Sequence, residues 1–168
     1  KNNRDYFDSL ADQDQQKSGT STSSHFVVGR EGEVIQCIPI TEIAYGNAPR
    51  NEDTISIEVC HSDETGRFND VTYESVVNLT AWLCKELKLG SKDVVRHYAI
   101  NGKLCTKYHV EHEDAWVQFR KDVDAAIKEL LCQGVFENSF PPSVRRPGRT
   151  AAGIQRMEYQ GFQEMEGS

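Results

Sequence analysis

The sequence contains no apolar run approaching the roughly 20 residues that a membrane-spanning helix requires, which excludes such a helix. It has no basic surplus: 19 Lys and Arg stand against 26 Asp and Glu, a formal net charge of −7. Without excess positive charge to displace counterions from a phosphate backbone, a nucleic-acid partner is excluded as a class. A disulfide framework is also missing, because the five cysteines (Cys37, Cys60, Cys84, Cys105 and Cys132) form an odd and widely spaced set. Such cysteines read as buried thiols in a reduced compartment, or as one or two metal ligands. No signal-peptide pattern follows Lys1, and the first residue is not Met, so the chain reads as a processed product or a fragment. No internal repeat is visible.

With 168 residues, 38% hydrophobic and 27% charged, the composition supplies one core rather than two. Residues 1–14 carry Tyr6, Phe7 and Leu10 at helical spacing, and a polar loop follows to Ser24. The runs His25-Phe26-Val27-Val28-Gly29 and Glu33-Val34-Ile35-Gln36-Cys37-Ile38, split by Arg30-Glu31-Gly32, predict a hairpin ended by Pro39. Residues 41–53 read as a loop. The next run, Thr54-Ile55-Ser56-Ile57-Glu58-Val59-Cys60, alternates as a strand. A helix is expected from about Val71 to Leu89, with Val76, Leu79, Leu83 and Leu87 as its buried stripe and Gly90 at its C′ position. Residues 93–98 read as a strand ending near His97. A last helix from about Glu111 would bury Trp116, Phe119, Val123, Ile127 and Leu130. The expectation is an α/β domain over residues 1–133, a mixed central sheet flanked by helices, with residues 134–168 as a flexible tail or linker. Four visible strands make that sheet thin for two long helices.

The residues that could carry chemistry are few. His109 and His112 fit neither H-E-x-x-H nor H-x-x-E-H, so a helical metalloprotease motif is rejected. His97 at a strand end and Cys105 in the following loop, with Lys103 between them, are ligand-type groups where α/β sheets place their sites. Taken alone, this pair is a weak signal: a loop cysteine and a strand-end histidine coexist by chance more often than they hold a metal. Glu58 sits mid-strand opposite Ile55, Ile57 and Val59. Either that face is wet, as on an edge strand, or the carboxylate has a function.

Taken in order, Ser24-His25-Phe26-Val27-Val28-Gly29, Ile35-Gln36-Cys37-Ile38-Pro39, Glu42-Ile43-Ala44-Tyr45, Ser56-Ile57-Glu58-Val59-Cys60-His61, Arg96-His97-Tyr98 and Gly102-Lys103-Leu104-Cys105 resemble one family. It is the type 2 family of zinc-dependent N-acetylmuramoyl-L-alanine amidases, which includes phage endolysins, bacterial autolysins and peptidoglycan recognition proteins. The resemblance spans about residues 3–125. It implies a hydrolase that cleaves the amide between N-acetylmuramic acid and L-alanine in peptidoglycan, acting at the cell wall after export or release from the cytoplasm. It further implies Zn2+ held by His97 and Cys105, Lys103 stabilising the oxyanion, and Glu58 as general base and proton donor. Tyr45 and Asn47 would line the substrate groove, while His25 and His61 are not expected to be ligands.

The chain departs from the family's pattern at three places. The first zinc ligand, a histidine in an opening Val-Ile-His-Asn-Thr-like strand, has no counterpart here, and the chain is expected to lack that strand. Ala99 replaces the aspartate that follows His-Tyr, and Thr106 replaces a proline after the cysteine. A non-catalytic peptidoglycan-binding or decayed homologue is therefore the alternative reading.

Overall fold

The computed structural model describes residues 22–132 and the backbone course of 156–163. The helix expected over residues 1–14, the polar loop up to residue 21 and most of the expected tail lie outside those residues. Five strands, β1 (Phe26–Val28), β2 (Val34–Gln36), β3 (Thr54–His61), β4 (Val94–Arg96) and β5 (Arg156–Gln163), form one sheet in the order β2-β1-β3-β5-β4. The β1–β2 pair is antiparallel and the β1–β3, β3–β5 and β4–β5 pairs are parallel, so the sheet is mixed, as expected.

The expected hairpin forms because Gly29 and Gly32 close its turn: the Gly29 and Glu33 backbones bond at 2.9 Å, and Gly32 takes φ of 80°. A Cβ at Gly32 would stand 2.7 Å from Ser75 Oγ, so this turn is fitted against the helix behind it. That helix, α1 (Asp70–Leu87), starts where Asn69 Oδ1 accepts the Thr72 N–H at 2.9 Å. It ends earlier than the Gly90 position suggested. Lys88 adopts the left-handed conformation (φ 57°), and Leu89 N–H bonds back to Cys84 O at 2.8 Å. A non-glycine residue there costs about 1–2 kcal/mol. Packing Leu89 against the core offsets that, since burying a leucine is worth about 1.5–3 kcal/mol. Gly90 instead opens a 3-10 turn, Ser91–Asp93, with its N–H on Asp93 Oδ2.

Three further helices follow: α2 (His97–Asn101), α3 (Lys107–Glu111) and α4 (Glu113–Cys132). Alternation along β3 separates two functions of the sheet. Ile55, Ile57 and Val59, with Phe26 and Val28 of β1, pack on Val76, Leu79 and Leu83 of α1 and Trp116, Phe119 and Val123 of α4. Ser56, Glu58 and Cys60 point to the other face.

Two expectations are revised. The strand read over residues 93–98 stops at Arg96, and His97 begins α2 rather than ending a strand. The stretch read as a tail contributes β5, which lies between β3 and β4. Its sequence, Arg-Met-Glu-Tyr-Gln-Gly-Phe-Gln, carries polar residues and a glycine where a buried strand usually carries β-branched ones. Its partners β3 and β4 begin 102 and 62 residues earlier, distances at which local pattern carries no information.

Candidate functional site

The face of β3 opposite the helices holds Glu58. An edge strand would leave it wet, but β3 is flanked by β1 and β5, and all eight of its residues are buried. Glu58 is 6% exposed. Burial pushes its carboxyl from 4.5 up to about 7, against a smaller downward pull from the Lys103 ammonium. The wet-face reading of this residue is therefore overturned by the sheet order, and a carboxyl balanced between its two protonation states at neutral pH takes its place.

His97 is positioned at the junction of β4 and α2, 4% exposed. Burial first, and the Lys103 charge second, lower its imidazole to about 4, so the ring is neutral near pH 7. The preceding residue anchors this junction: Arg96 bonds the His109 carbonyl, pairs with Glu113 at 2.8 Å and stacks 5.1 Å above the Trp116 ring. After α2 the chain turns at Gly102 (φ 79°), and Tyr98 N–H bonds the Cys105 carbonyl at 3.0 Å. That bond brings Cys105, 6% exposed, back beside the start of α2. Lys103 lies on the same loop, and its charge reaches both Glu58 and His97. Glu58, His97, Lys103 and Cys105, which are separated by up to 47 positions in sequence, thus converge.

The groove residues separate. Tyr45 is exposed on the loop after β2, alongside exposed Ile43. Asn47 is 1% exposed. Its amide donates to Thr54 Oγ1 at 2.7 Å, and its N–H bonds Asn51 Oδ1 at 2.7 Å. Asn47 therefore holds its loop together from inside and does not face a groove, contrary to expectation.

The other histidines are structural. His25 Nδ1 accepts the Ser56 N–H at 3.0 Å and Nε2 lies 3.0 Å from the Glu42 carbonyl, joining β1, β3 and the loop after β2. His61 Nδ1 is 2.7 Å from the Asp63 carbonyl. His109 is buried among Phe68, Tyr108, Trp116 and Phe119, and that burial lowers its imidazole to about 4.

Sequence reasoning missed Asn101. Its Nδ2 lies 2.8 Å from His97 Nε2 and 3.3 Å from the Ala48 carbonyl, and its Oδ1 accepts the Lys103 N–H at 3.1 Å. One exposed amide ties the site histidine to both flanking loops. Nothing in composition or motif marked it, because an Asn before a Gly reads first as a turn.

A neutral imidazole and a thiol are the right kinds of donor for zinc, which in catalytic sites takes three protein ligands. Among the described residues, however, no group of three His, Cys, Asp or Glu side chains could hold a metal ion. His97 and Cys105 are of donor type, but no third such side chain among the described residues joins them. Among the described residues, no helix is long and apolar enough to cross a membrane.

Comparison with known proteins matches residues 2–121 to the family Amidase_2, described as N-acetylmuramoyl-L-alanine amidase. The N-acetylmuramoyl-L-alanine amidase CwlL of Bacillus licheniformis is 30% identical over 138 residues, 75% of this chain and 37% of that protein. The N-acetylmuramoyl-L-alanine amidase XlyB of Bacillus subtilis (strain 168) is 33% identical over 121 residues, 69% of this chain and 36% of that protein. The chain thus spans little more than a third of these relatives. A mutant structure of PlyL superposes with a TM-score of 0.53 at 25% identity, covering 61% of this chain and 66% of that one.

Proposed function

Because the chain belongs to the N-acetylmuramoyl-L-alanine amidase family, we propose that it hydrolyses the amide joining the lactyl group of N-acetylmuramic acid to L-alanine in peptidoglycan. The observation that carries this reading is the buried Glu58 carboxyl, raised to about 7 beside Lys103 and on the same site as His97 and Cys105. Amide hydrolysis needs a group that takes a proton from the attacking water and returns one to the leaving amine, and a carboxyl near neutrality serves both steps. Glu58 has that property. As the carbonyl becomes tetrahedral its oxygen gains negative charge, and the Lys103 ammonium is the cation placed to stabilise it.

His97 and Cys105 are the residues that would hold Zn2+, which when bound supplies Lewis-acid polarisation of the scissile carbonyl. Catalytic zinc takes three protein ligands, and among the described residues no third donor joins this pair. Tyr45 and Ile43 on the loop after β2, Tyr98 on α2 and Leu104 on the loop after it are exposed apolar side chains of the kind that pack against a sugar or a stem peptide.

The test is digestion of purified sacculi by the full chain, with mass spectrometry of the soluble fraction. Peptides beginning at L-alanine, with the glycan strands left intact, are expected from the native chain and not from Glu58→Gln. Muropeptide binding without any peptide release would replace the hydrolase with the alternative, a binding homologue.

A further inference from the structure

On the helix-covered side of the sheet, away from Glu58, a cleft of about 220 Å³ opens between the segment joining β3 to α1, the start of α1, α3 and α4. Its walls are aromatic: Phe68, Tyr73, Tyr108 and His109. Phe68 belongs to the core beneath the helices and Tyr73 packs against it. Glu58, His97, Lys103 and Cys105 line no part of this cleft. The walls are held from behind by Asp122, which accepts from Tyr73 Oη at 2.6 Å and from Gln118 Nε2 at 2.8 Å. A carboxylate only accepts, so the Gln118 amide must turn its NH2 to Asp122, and Oε1 is left as an acceptor.

Two opposite charges, Arg67 and Asp70, also line the cleft. They stand three positions apart, the spacing at which Arg50 pairs directly with Asp53. Arg67 and Asp70 do not close in that way. Among the described residues neither side chain has a salt bridge or a hydrogen bond. The Arg67 guanidinium is drawn over the Tyr108 ring instead, 5.7 Å from its centroid, and a contact through the ring face consumes none of its N–H donors. His109, the other basic side chain of the cleft, is neutral near pH 7 because burial lowers it to about 4. A simple anion would be repelled by Asp70 and a simple cation by Arg67. An uncharged sugar would leave both charges unpaired, so the pattern selects a ligand that carries both signs.

We propose that this cleft binds a small zwitterion of the α-amino-acid class with an apolar or aromatic side chain. The ligand carboxylate meets Arg67, its ammonium meets Asp70 and Gln118 Oε1, and its side chain packs on Phe68, Tyr73 and Tyr108. The size agrees: the cleft has about seven waters' share of liquid volume, below the roughly 300–1,000 Å³ of sites for drug-sized ligands. A free amino acid fits such a space and a muropeptide does not. The cleft is separate from the site of Glu58, and this inference does not rest on the hydrolase reading.

The test titrates the nitrogen-15-labelled full chain with L-phenylalanine as the probe and follows the backbone amide shifts. Saturating shifts are expected at Arg67, Asp70, Tyr108 and Gln118 and none at Glu58 or His97, with a dissociation constant on the order of millimolar or tighter. Hydrocinnamate and phenethylamine, which each lack one of the two charges, should bind the native chain about tenfold or more weakly. Arg67→Leu, at an exposed position, should weaken L-phenylalanine binding by about tenfold or more with the rest of the spectrum unchanged. Absence of saturating shifts, shifts centred on Glu58 and His97, or single-charge analogues binding as tightly as L-phenylalanine would each overturn the proposal. So would an Arg67→Leu chain that binds the probe as tightly as the native one.

Discussion

Glu58→Gln should make the protein more stable and inactive, and the size of the first effect should depend on pH in a defined direction. A carboxyl at 4.5 in the unfolded chain and about 7 in the folded one binds its proton more tightly when folded. Its contribution to stability is complete below about pH 4.5 and declines as pH rises through about 7, by about 3 kcal/mol in all. Above that range the folded protein carries a buried carboxylate that the unfolded chain keeps in water. Glutamine has the same shape and no charge, so it removes the whole pH-dependent contribution.

His97 and His109 run the opposite way. Their imidazoles are lowered to about 4, so stability is lost as pH falls from about 6.5 toward 4. The raw pH profile of the native chain therefore mixes opposing slopes. The difference between native and Glu58→Gln cancels the histidines and isolates the carboxyl. Urea denaturation of both proteins at about pH 5 and about pH 8 should show near-equal stability at the lower pH and Glu58→Gln ahead by up to about 3 kcal/mol at the higher. The lost attraction to Lys103, the smaller effect on this carboxyl, trims that figure. Peptide release by the same variant should fall at least about a hundredfold, the ordinary worth of a general acid–base. A native chain that gains on Glu58→Gln between the two pH values would refute the reasoning, because the carboxyl would then be held as a stabilised anion.

Lys103→Met removes the positive charge that pulls both Glu58 and His97 downward, so both should titrate higher. In the pH–rate profile the Glu58 limb should move to higher pH, with the plateau rate reduced by about 100- to 1,000-fold if the ammonium meets the developing oxyanion. Asn69→Ala removes the N-cap acceptor for Thr72 N–H at the start of α1. Chemical denaturation should show a loss of about 1 kcal/mol with the pH dependence of activity unchanged.

The elements legible in the sequence are those whose information is local. Gly29 and Gly32 with β-rich flanks marked the hairpin, the two-residue alternation of Ile55, Ile57 and Val59 marked β3, and three- and four-residue spacings marked α1 and α4. Boundaries failed where a tertiary contact outweighed a local preference. Leu89 docks on the core and ends α1 before the glycine, and Arg96, held by His109, Glu113 and Trp116, ends β4 one residue before His97. The site divides the same way. Glu58, His97, Lys103 and Cys105 stood out by residue type and by place on strand or loop, and the resemblance to a family gave them roles, while their convergence depends on sheet order, which spacing does not encode. Asn47 was misplaced because a loop asparagine reads alike whether its amide faces solvent or, as here, bonds Thr54.

Central placement of β3 explains how the fold carries an ionisable carboxyl in its middle. Ile55, Ile57 and Val59 are fully buried on the helix-facing side. At about 1.5–3 kcal/mol each they outweigh the roughly 3 kcal/mol that an ionised Glu58 costs on the other. The balance can be tested with Ile57→Ala, which should cost about 2–5 kcal/mol, a large share of the roughly 5–15 kcal/mol typical of a domain. Ile57 and Glu58 are neighbours on one strand, so a coupling of about 0.5–3 kcal/mol through the backbone is expected, but as Ile57 carries no charge that coupling does not change with pH. Adding Glu58→Gln to Ile57→Ala should then restore up to about 3 kcal/mol more near pH 8 than near pH 5. Urea denaturation of the native chain, both single variants and the double variant at the two pH values decides it. Equal recovery at both would mean that glutamine acts through packing rather than through charge, and the account of β3 as one strand with an apolar face supporting an ionisable one would be wrong.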